Sequence, residues 1–184
     1  LTISDTRGLP AITARTVGTG DAGEVRISSA NLNATSSYDS LFPFALIDTH
    51  TSGGGKGGDV SIAAAGNLTA TGNSSNQMFF IDSGTTGLAE GTGGSVTITA
   101  TTGNVQLVSS SINTGDFVAT QTGQESSGSG GDVTIAADTF QQTNSAIATD
   151  GVGAGRAGGI SISARDIQIN NFSLLEQLGI NGTG

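Results

Sequence analysis

Apolar and polar residues alternate in five blocks of the chain, and the blocks align without gaps. They begin at Gly20, Gly55, Gly91, Gly128 and Gly155 and share the pattern Gly-x-[Gly/Ala]-Gly-x-[Val/Ile]-x-Ile. The first apolar position falls at Val25, Val60, Val96, Val133 and Ile160, so the repeats are 35, 36, 37 and 27 residues long. Within each block the apolar residues recur at every second position, as in Val60, Ile62 and Ala64, while Arg26, Ser61, Thr97, Thr134 and Ser161 fall between them. A period of two is that of a strand with one face inward and one in solvent.

Each block is followed by a second short apolar segment, around Leu32, Leu68, Val105, Phe140 and Ile167. A third follows around Ile47, Ile81 and Ile147, with a counterpart at Ile12 before the first block. In the repeat that starts at Gly91, either Ile112 or Val118 fits the third place. Three short strands in 27 residues cannot bury their apolar faces or pair their edges alone. Stacking successive turns of the chain does both, with like strands paired in parallel about 4.8 Å apart. The expected fold is therefore all-β, a single-stranded parallel β-helix (β-solenoid) of about five coils, filling residues 1–184 as one repeat segment. The general handedness of parallel connections favours right-handed coiling. Gly23, Gly58, Gly94, Gly131 and Gly158 precede the inward side chains by two residues, where a corner needs either φ > 0 or close approach of stacked backbones. The extra residues of the three longer repeats are expected between second and third strands, for example 36–43 and 72–77, as loops on one side of the rod.

Composition sharpens this picture. Gly contributes 30 of 184 residues and Pro only 2, as in a low-complexity linker, yet 35% of residues are hydrophobic and 11% charged, against the charge-rich profile of disorder. The net charge is −9 and the six basic residues are scattered singly, so nucleic acid and anionic membrane surfaces are excluded as natural partners. No apolar run has the length of a membrane span, and the absence of cysteine removes disulfides and Cys-ligated zinc.

The columns Gly130-Gly-Asp-Val-Thr-Ile-Ala-Ala137, Gly57-Gly-Asp-Val-Ser-Ile-Ala-Ala64 and Gly93-Gly-Ser-Val-Thr-Ile98 resemble the solenoid repeats of filamentous-haemagglutinin-like exoproteins of bacterial two-partner secretion. The resemblance spans essentially the whole chain and is more specific to architecture than to function. It implies a right-handed β-helix, export through an outer-membrane transporter as partner, a secreted or bacterial cell-surface location, and a role in adhesion. The family's amino-terminal secretion domain is not recognisable, so the chain reads as an interior fragment of a longer protein.

Candidate chemistry is sparse. Asp48 and Asp82 each follow an inward Ile, with Asp116 or Asp150 as neighbours; converging carboxylates would suit a glycan-cleaving β-helix, whereas outward turn-forming Asp is the simpler account. His50 is the sole histidine and, with no Gly-x-Ser-x-Gly elbow, reads as a solvent-exposed loop residue. Gly54-Gly-Lys-Gly-Gly-Asp59 imitates a calcium-binding nonapeptide but lacks both the apolar residue, Ser61 standing there, and the nine-residue recurrence. The Thr97/Thr99 pair is not continued on other repeats, which removes an ice-binding array. The expectation is thus no enzyme, no cofactor and no metal. With Ile47 and Ile81 inward, alternation points Phe44, Leu46, Met78 and Phe80 outward, a stripe that is either a recognition surface for a cell-surface or glycan ligand or a satellite core under the loops. Bare parallel edges at both ends predict end-to-end self-association.

Overall fold

The computed structural model describes residues 1–5, 10–36, 45–72, 78–86, 91–117, 128–151, 155–170 and 174–176. They form a β-solenoid of parallel strands, with no helix among the described residues. Three ladders run along the rod. The first stacks Val25–Ser29, Val60–Ala64, Val96–Ala100 and the opening halves of Val133–Thr143 and Ile160–Asn170. The second stacks Thr2–Asp5, Leu32–Ser36, Leu68–Thr71, Asn104–Val108 and the closing halves of the same two long strands. The third stacks Ile12–Thr13, Ile47–Asp48, Met78–Asp82, Ser110–Asn113, Ala146–Ala148 and Leu174–Glu176.

Register is set by the side chains the sequence repeats. Val25, Val60, Val96, Val133 and Ile160 pair in one column, and Ile27, Ile62, Ile98, Ile135 and Ile162 in the next. On the third ladder Ile12, Ile47, Ile81, Ile112 and Ile147 follow one another. A slip of one residue would turn each column to solvent, so burial itself enforces this pairing. The columns meet in one core that includes Leu32, Leu68, Val105, Phe140 and Leu107. Gln142 also enters it and donates from Nε2 to the Ser145 carbonyl at 2.8 Å.

Ile112, not Val118, fills the third place of the third repeat. A single residue, Ser109, separates its second and third strands, so the expectation of a long insertion there is corrected: the extra residues of this repeat follow the third strand. Ser109 and the matching Asn144 hold φ of 47° and 48°, the left-handed geometry that so short a corner demands, and Asn144 Nδ2 donates to Ser109 Oγ at 3.2 Å. The predicted loops 36–43 and 72–77 lie almost wholly outside the described residues.

A second corner closes each coil through the glycine column. Gly58 N donates to Thr49 O at 2.8 Å, Gly94 N to Ser83 O at 2.7 Å, Gly131 N to Thr114 O at 3.0 Å and Gly158 N to Thr149 O at 2.8 Å. Hydroxyls answer in the other direction: Thr49 Oγ1 donates to Gly58 O at 2.7 Å, Thr114 to Gly131 O at 2.5 Å and Thr149 to Gly158 O at 2.8 Å, while Ser83 reaches Gly58 O at 2.6 Å. The glycines are required by close approach and not by φ > 0, because a Cβ at Gly58, Gly94, Gly131 or Gly158 would fall within 3.0 Å of the carbonyl oxygen of the glycine one coil earlier, and none has a left-handed φ.

Candidate functional site

Two of the four residues expected to point outward, Leu46 and Phe80, point inward. Leu46 is 2% exposed and Phe80 is fully buried, and both belong to the main core, so neither side chain offers a recognition surface. For Phe80 the cause is a bulge in the third ladder. Ser111 pairs with Phe79 and Ile112 with Ile81, which leaves Phe80 as the extra residue. One coil earlier, Leu46 precedes the strand Ile47–Asp48, and its carbonyl accepts from both Ala11 N at 3.0 Å and Ile12 N at 3.1 Å. A bulge suspends the strict two-residue alternation, which lets Phe80 turn inward beside Ile81, and Leu46, lying before its strand, is not bound by that alternation. Met78 opens its strand, and Phe44 lies outside the described residues.

Immediately past the bulge the same ladder gathers the polar residues that matter most. Asp48 and Asp82 are register partners, and the next residue in the column is Asn113; neither Asp116 nor Asp150 holds that place. Asp116 pairs with Thr85 in a separate two-strand ladder. Each column residue accepts from the N–H two positions on: His50 to Asp48 Oδ1 at 3.3 Å, Gly84 to Asp82 Oδ1 at 3.2 Å and Gly115 to Asn113 Oδ1 at 3.1 Å. Asn113 Nδ2 adds a bond to Asp82 Oδ1 at 3.1 Å. Three coils thus repeat one Asx turn, which fixes the carboxylates on neighbouring rungs.

His50 is not the solvent-exposed loop residue expected. Its Nδ1 lies 2.6 Å from Asp48 Oδ1, and the two side chains are 18% and 4% exposed. The Arg15 guanidinium reaches Asp48 Oδ2 at 4.0 Å from a half-exposed position. The hydrogen bond to Asp48 raises the His50 pKa above its ordinary value against the opposing effect of burial, and burial pushes the Asp82 carboxyl up. Asp48, His50 and Asp82 hold their ligand-capable atoms within 4.8 Å of one another. In the sequence the signal was the spacing Asp48-x-His50, which allows an Asx turn just past the strand Ile47–Asp48 while Ile47 and Thr49 are buried.

Elsewhere the outer face of the second ladder carries a stack of amides, in which Gln106 Nε2 donates to Gln141 Oε1 at 2.8 Å. Comparison with protein-family models, with curated proteins and with solved structures finds no match.

Proposed function

We propose that this chain is a structural and adhesive segment of a secreted bacterial surface exoprotein of the filamentous-haemagglutinin-like kind, a stiff rod that holds attachment loops away from the cell. The observation that carries the reading is the unbroken register of the first ladder, Val25 to Val60 to Val96 to Val133 to Ile160, over one continuous core. Such stacking transmits load through parallel backbone hydrogen bonds along the axis. The outward positions on this ladder are Arg26, Ser61, Thr97, Thr134 and Ser161, small or singly charged groups suited to a solvated shaft. Recognition would then fall to the connections between strands, which vary in length where the strands do not. Export through an outer-membrane transporter belongs to the same proposal.

The alternative, a glycan-binding or glycan-cleaving β-helix, draws on the convergence of Asp48 and Asp82. Their environment counts against it, since the Asp48 side chain is 4% exposed and a polymer must reach catalytic carboxylates. One experiment separates the two. Beads coated with the 184-residue chain should be retained on cell monolayers or immobilised glycans above albumin-coated beads. Retention equal to the control overturns the adhesive reading, and release of sugar fragments from polysaccharides establishes the alternative.

A further inference from the structure

We propose that Asp48, His50 and Asp82 form a binding site for a divalent transition-metal ion of the Zn²⁺ type. One oxygen from each carboxylate and a ring nitrogen of His50 lie within 4.8 Å of one another. Donors arranged around one zinc at about 2.0–2.2 Å stand roughly 3.4 Å apart, so separations of at most 4.8 Å need close by little more than about 1 Å. The hydrogen that Asp48 Oδ1 and His50 Nδ1 share at 2.6 Å is the group the ion replaces, and its proton leaves to solvent.

The fold supplies the donors in three independent ways. Parallel register sets Asp48 directly beside Asp82 on the adjoining coil. The Asx turn that follows the strand Ile47–Asp48 folds His50 back onto Asp48, with Nδ1 2.6 Å from Oδ1. Outer-shell bonds already aim the carboxylates, with Gly84 N and Asn113 Nδ2 on Asp82 and His50 N on Asp48, the kind of support that orients metal ligands. The charge is short of balance as well. Arg15 approaches only Asp48, at 4.0 Å and half exposed, and among the described residues no ion pair within that distance reaches Asp82.

Donor chemistry selects the ion. One imidazole and two carboxylates suit zinc and its first-row neighbours, whereas Ca²⁺ requires six to eight oxygens. The chain has one histidine and no cysteine, so a nitrogen-ligated metal has His50 as its only side-chain candidate.

The test uses Zn²⁺ alone, added to chelator-treated protein and followed by calorimetry and by the imidazole resonances of His50, which a single-histidine chain makes unambiguous. One equivalent should bind, with a shift of those resonances that excess Ca²⁺ does not reverse. His50→Gln and Asp82→Asn should each weaken binding at least tenfold with the β spectrum unchanged; the Asn retains the acceptor used by Gly84 and Asn113. Unmoved imidazole resonances at saturating Zn²⁺ overturn the proposal in the unaltered protein, whatever the variants do. So does undiminished uptake by folded His50→Gln.

Discussion

Gly94 occupies a position where one methyl group decides whether the coils stack. A Cβ there would meet Gly58 O, Ser83 Oγ and Gly57 O inside 3.0 Å, two of them backbone atoms that cannot give way without moving a rung. Gly94→Ala should therefore lower the unfolding free energy by about 2–3 kcal/mol or more in urea titrations. Gly54→Ala, with nothing within 4 Å of its Cβ, should change it by less than about 0.5 kcal/mol; equal effects would contradict the close-approach account. His50 sets a pH dependence. Its folded pKa is raised above 6.5 chiefly by the bond to Asp48, so its contribution to stability is fully present below pH 6.5 and is lost as pH rises through the folded value. Asp82, raised by burial, acts in the same direction: its contribution is present below pH 3.8 and declines above it. In chelator, urea midpoints should fall between pH 6 and pH 9, and His50→Gln should flatten that fall. A wild-type midpoint that rises over this interval contradicts the assignment.

At the scale of the strand, period two was legible wherever the ladder is regular and misleading where it bulges. Val60, Ile62 and Ala64 turn inward as their spacing demands. Phe80 does not follow it, because a bulge inserts a residue that no composition signal marks, and Leu46 does not because its strand starts only at Ile47. Phe80→Ala should accordingly cost about 3–5 kcal/mol, as truncation of a fully buried aromatic does. A loss under about 1 kcal/mol would return Phe80 to the surface. The same ladder carries a second regularity in its sequence. Ile47-x-Thr49, Ile81-x-Ser83, Ile112-x-Thr114 and Ile147-x-Thr149 place a hydroxyl two residues after each inward Ile, and those hydroxyls fasten the glycine corner. Thr149→Val keeps the shape, removes the donor to Gly158 O, and should cost about 1–2 kcal/mol by thermal unfolding. The Asp48–His50–Asp82 cluster was half legible. The i, i+2 pairing is a local Asx turn, but closeness of Asp82 to His50 required the register between coils, which repeats of unequal length conceal.

At the scale of the rod, the described residues leave the core open at the Ile160–Asn170 rung. Among the described residues this strand pairs with Val133–Thr143 alone, and Ile167 and Ile169 are 47% and 44% exposed although their partners Phe140 and Gln142 are fully buried. A rung of this sort presents unpaired N–H and C=O groups beside apolar side chains at the spacing of the next coil, the arrangement that invites addition of another strand. At the opposite end Val17 is also exposed, and among the described residues Val25–Ser29 pairs on one side only, with Val60–Ala64. Because the columns repeat by translation, the Ile160 rung of one molecule offers the Val25 rung of another the same pitch that internal rungs offer each other. Contact of this kind is head-to-tail and does not close on itself, so growth is open-ended. The sedimentation coefficient of the 184-residue chain should therefore rise with concentration, without a plateau at a dimer. Ile167→Lys with Ile169→Lys places charge on the open rung without touching a covered column, and should restore a monomer with its β spectrum intact. A wild-type chain that stays monomeric at high concentration would mean that the exposed isoleucines are capped from within the same molecule.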